Sequence, residues 1–460
     1  GSPRRSGATM SWTYTIDELA AILGVEYNGQ ARPFHGVSTD TRKIERGEVF
    51  FALSGENYDG AAFAEEALAK GAAAVVTTRP ISSESSLIVS DPLAALQRFA
   101  AEHRRRHDIF LVAITGSCGK TSSKDLIAGL LASKYEVIKT QGNLNNEIGC
   151  PLSLLRMDAA TDCAIIEMGA NHAGEIARMC KLARPTDAAI TMVAPAHLEG
   201  FGSIEKVAKA KGEIITGLAA EGTFYLNVDC SWCVRMAEGH PGPIVRYGSQ
   251  GDVVLKSCER RASGEMQLDV EPVGRLVLPL VSRAHVHNVL LAIAVGVRHG
   301  VEDFEAPLAA VCAAGGRIKI FDAGPLKIID DTYNANPASV RAAIETLMEQ
   351  PGNGARMAAL GDMFELGEAA PELHRQVGAE AARLGVSHLF SMGAHAGAMI
   401  EGAQGVQTVY THQAETPQTL VDDVIRLVKP GDILLVKGSR GMRMERVIDA
   451  LRHYYNSNDR

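Results

Sequence analysis

The stretch ITGSCGKTSSK, residues 114–124, sets glycines at 116 and 119 ahead of Lys120 and Thr121. Those residue types in that order suit a polyphosphate. Glycines let backbone N–H groups close on the anion, lysine brings a point charge, and a threonine hydroxyl can ligate Mg2+. Thr115, Gly116, Ser117, Cys118, Gly119, Lys120, Thr121 and Ser122 are therefore assigned to nucleotide phosphates. The common phosphate loop, G-x-x-x-x-G-K-[ST], keeps four residues between its glycines; here only Ser117 and Cys118 stand between them. The plain alternative is a Gly-rich turn with a solvated lysine, and the apolar run before it and helical pattern after it argue against that.

A bound polyphosphate needs its metal held from a second side. Glu167 stands within the apolar run CAIIEMGA (163–170) and His197 follows AAITMVAP (188–195), which brings both to the rim where the loop stands. A strand-end glutamate can equally cap a helix, and a lone histidine can be an ordinary loop residue. Cys230-Ser231-Trp232-Cys233 is a CxxC without a second pair; it supplies half a zinc site and reads as structural.

The elements that must carry these residues fall into three runs. Residues 10–105 begin with Thr15-Ile16-Asp17-Glu18, the spacing of a capping box, and continue with strands 49–55 and 72–78, a helix 61–71 and a helix 92–107 ending in the basic run HRRRH, read as a solvated helix end. Residues 106–313 alternate buried-strand patterns such as IFLVAITG and TFYLNVD with helical ones, broken by an antiparallel stretch at 252–281. Residues 314–460 alternate five strands with helices from LKIIDDTY to DILLVKGS. The expected fold is α/β in three domains: a small N-terminal α/β domain, a central P-loop mononucleotide-binding domain with a mostly parallel sheet, and a C-terminal Rossmann-like doubly wound domain. Ligands of the last belong beyond its strand ends, at DDTYNANP, GDMFELG and KGSRG.

With 460 residues, 46% of them hydrophobic, and 46 basic against 54 acidic side chains, the chain is too long for one core and too acidic for a dedicated nucleic-acid binder. No apolar run approaches the roughly 18 residues of a membrane span. Eight scattered cysteines suit a reducing compartment. GSPRRSGAT, ahead of Met10, lacks a secretory apolar region and reads as an expression remnant, so a cytoplasmic protein is expected.

STDTRKIERGEVFFALSGENYDG, ITGSCGKTSSKD, TQGNLNNEIGCPLSLL, IIEMGANHAGEI, APAHLEGFGSIEKVAKAKGEI, IIDDTYNANPASVRAAI, LGDMFELGE and LLVKGSRGMRMERV, spread over residues from about 36 to 450, resemble the Mur ligases in that order. The contracted loop is the form this family shares with folylpolyglutamate synthases. The resemblance implies an ATP-dependent amide ligase that works through an acyl phosphate in cytoplasmic peptidoglycan precursor synthesis. DDTYNANP and GDMFELG resemble the members that add D-alanyl-D-alanine to a UDP-N-acetylmuramoyl-tripeptide, and a monomer is expected.

The resemblance also implies roles. Lys120, Glu167, His197 and Lys211 serve catalysis. Thr121, Glu167, His197 and Lys211 surround two Mg2+ ions, Lys211 as a carbamate, with a surface helix lysine as the alternative. Asn288 reads adenine, and Arg317 and Asp331 touch phosphate and ribose. His285 departs from the family's HNxxN pattern, which more often has asparagine there. Asp40, Thr41 and Arg42 hold the uridine nucleotide, although DGAAF at 59–63 lacks a polar residue the family often carries. Asn143, Asn145 and Asn146 face the sugar-peptide or form a turn. Asn334, Asn336 and Asp362 grip the dipeptide or the tripeptide's end, and Lys437 and Arg440 pair with a carboxylate, unless each is solvated loop polarity.

Other readings fare worse. A P-loop regulator leaves the third unit without a role, and no NKxD-like guanine selector follows the loop. A dinucleotide oxidoreductase wants G-x-G-x-x-G after the first strand of that unit, which is absent.

Overall fold

The structure, a computed structural model, describes residues 12–55, 58–81, 84–315 and 318–458. Among these residues the chain forms three α/β domains, each around its own main sheet. The N-terminal sheet has four parallel strands in the order Val37–Ser38, Val49–Phe51, Ala74–Thr77 and Ser86–Ile88. Helix Ile16–Leu23 starts at the capping-box residues, with Glu18 Oε2 accepting from Thr15 N at 2.8 Å.

The central sheet has nine strands. Its parallel part runs Val137–Lys139, Cys163–Glu167, Phe110–Thr115, Asp187–Ile190, Thr223–Asn227, Ile244–Gly248. FLVAIT, CAIIE and DAAI are almost wholly buried, because helices cover both faces and leave no side of the strand for polar residues. Helices Lys120–Leu131 and Val286–Arg298 pack on one face. On the other lie Glu175–Ala183, Ile204–Thr216 and the aromatic cluster Trp12, Tyr14, Phe34 and Phe99 of the first domain. The expected antiparallel stretch is present as Val253–Arg260, Met266–Glu271 and Gly274–Leu278.

The third sheet orders Leu326–Asp331, Ile433–Lys437, Arg356–Gly361, His388–Met392 and Thr408–His412 in parallel, the five strands that the sequence predicts. A sixth, Lys319–Ala323, joins the edge as a hairpin through Gly324-Pro325; its short mixed sequence KIFDA gave no alternation to read.

The basic run at the end of helix Pro92–Arg105 departs from expectation. His103 and Arg104 are buried: His103 Nε2 reaches Met157 O at 2.9 Å, Tyr14 Oη lies 3.0 Å from its Nδ1, and Arg104 Nε donates to Ala183 O at 2.8 Å. The run is half seam between the first two domains and half solvated, since Arg105 and Arg106 pair with Glu102.

Candidate active site

The phosphate-loop strand Phe110–Thr115 lies between Cys163–Glu167 and Asp187–Ile190, with Ile114 opposite Glu167 and Thr115 opposite Ile190. Adjacent parallel strands therefore deliver Thr115, Glu167 and Thr191 to one rim. Both loop glycines are dictated by space. At Gly116, φ is +150° and a Cβ would stand 1.9 Å from Thr191 Oγ1; at Gly119, φ is +83° and a Cβ would stand 2.5 Å from Asn288 Oδ1. The loop is braced from the neighbouring strand end. Ser117 N donates to Met192 O at 2.9 Å, Ser117 Oγ to Ala194 O at 3.0 Å, and Thr191 Oγ1 to Cys118 O. Lys120 curls back so that Nζ donates to Gly116 O at 2.7 Å. Its ammonium thus lies over the loop, at the start of helix Lys120–Leu131 where the amide dipoles point.

Glu167, 1% exposed, is the hub beside the loop. Thr121 Oγ1 donates to its Oε2 at 2.8 Å and Asn145 Nδ2 to its Oε1 at 2.8 Å, while its own N–H donates to Thr140 Oγ1 at 3.0 Å. Lys124, also buried, sets Nζ 3.8 Å from Oε2. The sequence reading passed over Lys124 and Thr191. Lys124 lies four residues after Lys120 on one helix, a spacing that places both on the same face; Thr191 carries no local signal.

Lys211 is 1% exposed within helix Ile204–Thr216, which removes the surface-lysine alternative. Burial, aided by the charge of Lys120, pulls its ammonium down to about 7, while Cys118 opposes. His197 takes a left-handed backbone, φ 54°, and sets its Nδ1 against the carboxylate of Glu365 of the third domain. Burial pulls the imidazole below its ordinary value; Glu365 opposes this, and Lys120 and Lys211 add to it. Lys120, Lys211 and His197 thus share one electrostatic neighbourhood. Glu365, another residue the sequence reading missed, is also left-handed, φ 62°, and its carbonyl accepts from Glu199 N at 3.0 Å.

A cleft of about 550 Å³ opens between the second and third domains. Its walls include Ser117, Cys118, Gly119, Thr121, Ser122 and Asn288 on one side and Asp331, Asn334, Asn336 and Lys437 on the other. Asn288 Oδ1 accepts from Ser123 Oγ at 3.1 Å. Asn336 caps helix Pro337–Met348 through Ser339 N at 2.9 Å and places Nδ2 3.1 Å from Cys118 Sγ, so it bridges the domains. Lys437, 2% exposed, donates to Asp331 Oδ2 at 2.6 Å and to Asn334 O at 2.8 Å. The carboxylate it pairs with here belongs to the protein.

Other expected residues lie apart. Asp362 is buried and accepts from Ala394 N and His395 N at 2.7 and 3.1 Å, holding the next loop. Arg440 is exposed, with Nη1 3.9 Å from Glu445. Asn143 is exposed, and Asn146 Oδ1 accepts from Gly149 N at 2.9 Å, at the start of a short helix. Asp40, Thr41 and Arg42 follow the first-domain strand Val37–Ser38. Arg42 Nε and Nη2 grip the Asp40 carboxylate at 2.9 and 2.8 Å and hold it well below its usual range. Arg317 lies outside the described residues.

A glycine-shaped anion loop, a lysine above it and a buried carboxylate joined to the loop threonine can bind a nucleoside triphosphate with a hard cation. The comparisons with known proteins agree. Residues 114–296 match the Mur ligase middle domain, residues 316–440 the Mur ligase glutamate ligase domain, and residues 33–105 the Mur ligase family catalytic domain. The UDP-N-acetylmuramoyl-tripeptide--D-alanyl-D-alanine ligase of Escherichia coli K12 is 37% identical, over 95% of this chain and 98% of that one. The protein of that name from Bacillus subtilis is 34% identical over 91% and 93%. Among solved structures, MurF from Acinetobacter baumannii superposes with a TM-score of 0.89 at 31% identity, over 96% of this chain and 99% of that one. MurF ligase from Thermotoga maritima, in complex with ADP, gives 0.82 at 28% identity, over 92% and 98%.

Proposed function

The chain belongs to the Mur ligase family, and we propose that it joins D-alanyl-D-alanine to UDP-N-acetylmuramoyl-tripeptide at the expense of ATP, releasing ADP and phosphate. The observation that carries this reading is the phosphate loop in the cleft wall, with Glu167 bonded to its Thr121 and the buried amine of Lys211 within the field of its Lys120.

In this reading the loop amides and Lys120 hold the β- and γ-phosphates of ATP. The terminal carboxylate of the tripeptide attacks the γ-phosphorus, and the bond to the bridging oxygen breaks to release ADP. The dipeptide amine then attacks the acyl phosphate carbon, phosphate leaves, and an amide remains. Little covalent work falls to the protein; positioning and charge neutralisation dominate. Lys120, in contact with Gly116 O, needs only to turn outward to meet the transferring group.

Thr121, Glu167, His197 and, once carbamylated, Lys211 would hold magnesium, whose charge would offset that of the phosphate oxygens. Lys211 suits carbamylation because its amine is neutral to a useful extent near pH 7, and only the neutral amine adds CO2. The product replaces a cation with an oxygen ligand and removes a repulsion from Lys120.

Asn288, Asp331 and Arg317 take adenine, ribose and phosphate in this account, while Asp40, Thr41 and Arg42 take the uridine nucleotide. Asn145, Asn334 and Lys437 are nearest in kind to the peptide contacts, Lys437 by exchanging Asp331 for a substrate carboxylate. The domain limits proposed are 10–105, 106–313 and 314–460, in a monomer acting on cytoplasmic peptidoglycan precursors. No described helix is long and apolar enough to cross a membrane. Phosphate release by purified protein tests the reading: it is expected only when ATP, the UDP-tripeptide and D-alanyl-D-alanine are all present. Release with glutamate and a folate in place of the last two would reassign the substrate.

A further inference from the structure

Cys230 and Cys233 play no part in the chemistry above, yet Cys230 stands in the wall of the same cleft. Cys230 follows strand Thr223–Asn227 and is the N-cap of helix Ser231–Ala237, which puts Cys233 in the first turn. Side chains at those two positions of a helix meet, and the two sulfurs lie close enough for each to shift the other's acidity. Cys230 is partly exposed and lines the cleft, whereas Cys233 is fully buried behind it with Sγ 3.6 Å from Ile190 O. A reachable sulfur backed by a shielded one is the layout of a dithiol that can close.

We propose that Cys230 and Cys233 form a hydroperoxide-oxidisable dithiol whose closure to a disulfide is blocked when nucleotide fills the cleft. The Cys230 thiolate attacks the outer peroxide oxygen, the O–O bond breaks, and the leaving oxygen departs protonated as alcohol or water. The resulting sulfenic acid is attacked by the Cys233 sulfur, forming the S–S bond and expelling water. The dithiol loses two electrons and two protons, and the peroxide is reduced by the same two electrons.

The acidity of the pair agrees with this layout. Cys233 and the surrounding amides hold the Cys230 thiol down at about 6 against burial, whereas burial pushes Cys163 and Cys180 up to about 12. Closure also reaches the known machinery. Cys230 lines the cleft together with Val193, which directly follows Thr191 and Met192, the residues that brace the phosphate loop.

The test uses reduced full-length protein treated with hydrogen peroxide, alkylated with iodoacetamide, digested and weighed. The peptide holding 230–233 is expected to lose two hydrogens and resist alkylation before Cys118 or Cys312 is oxidised, with dithiothreitol restoring both thiols. Cys233→Ser should stop at an oxygenated Cys230. The blocking rests on the nucleotide reading, so ATP affinity is measured separately by calorimetry; ATP at about ten times that Kd should slow closure about tenfold. Prior oxidation of other cysteines with 230–233 still reduced overturns the dithiol, and unchanged closure with ATP bound overturns the blocking. Absence of ATP binding by calorimetry would sink the nucleotide reading and the blocking together, while the peroxide arm still decides the dithiol.

Discussion

Replacing Gly116 by alanine tests the phosphate loop most sharply, because the structure leaves no room for one methyl group. The new Cβ would stand 1.9 Å from Thr191 Oγ1 and 3.1 Å from Thr191 Cβ. Thr191 is nearly buried, and its hydroxyl is committed to Cys118 O, so it cannot swing away without releasing the loop. Overpacking of this kind costs about 1–3 kcal/mol, and an alanine at the φ of +150° adds about 1–3 kcal/mol. A loop displaced at a cost of about 3 kcal/mol loses on the order of a hundredfold in ATP affinity. Calorimetric titration with ATP reads that loss, and thermal unfolding reads the fold. Gly405→Ala is the control: φ is +102°, nothing lies within 4 Å of its Cβ, and it is remote from the cleft, so it should cost stability and leave ATP affinity unchanged. A Gly116→Ala protein that binds ATP like the parent would refute the reasoning.

Three further outcomes are expected. Because only the neutral amine takes up CO2 and the Lys211 amine sits near 7, carbamate signal from 13C-bicarbonate should rise as pH rises through about 7 and vanish in Lys211→Ala, with turnover down about a hundredfold; a signal unchanged in that variant would refute it. Burial pulls His103 down to about 4, so between about 6.5 and 4 the unfolded chain binds a proton that the folded chain refuses; stability should fall by about 3 kcal/mol as pH drops through that window, and denaturant unfolding of His103→Gln should show a flatter profile. Glu365→Ala frees His197 from the third domain, and because the carboxylate is half exposed the loss should be no more than about 1 kcal/mol, seen as a rise of about fivefold in KM for the dipeptide with the melting curve unmoved.

What the sequence made legible was chemistry confined to a few neighbouring residues. The phosphate loop could be read because its glycines, lysine and threonine follow a buried strand and open a helix, and Glu167 because it ends the next strand. The capping box at Thr15 and the five strands of the third sheet followed from spacing alone. What stayed hidden depends on residues far apart in the chain. Thr191 matters because a Cβ at Gly116 would strike it, and Glu365 because two domains meet at His197. His103 and Arg104 read as solvated until the carbonyls of Met157 and Ala183 came into range. Polar loop residues were the hardest to sort, since backbone amides compete for them: Asp362 and Asn146 are spent on loop and helix N–H groups, while Asn145, beside them in type, reaches Glu167.

The central claim is that the loop at 114–121 delivers the γ-phosphoryl group of ATP to the carboxylate of a peptide. Tripeptide substrate labelled with 18O in its terminal carboxylate tests this directly when the released phosphate is weighed. The account predicts one labelled oxygen in each phosphate, carried there when the acyl phosphate collapses onto the dipeptide amine. Unlabelled phosphate released alongside amide product would contradict it.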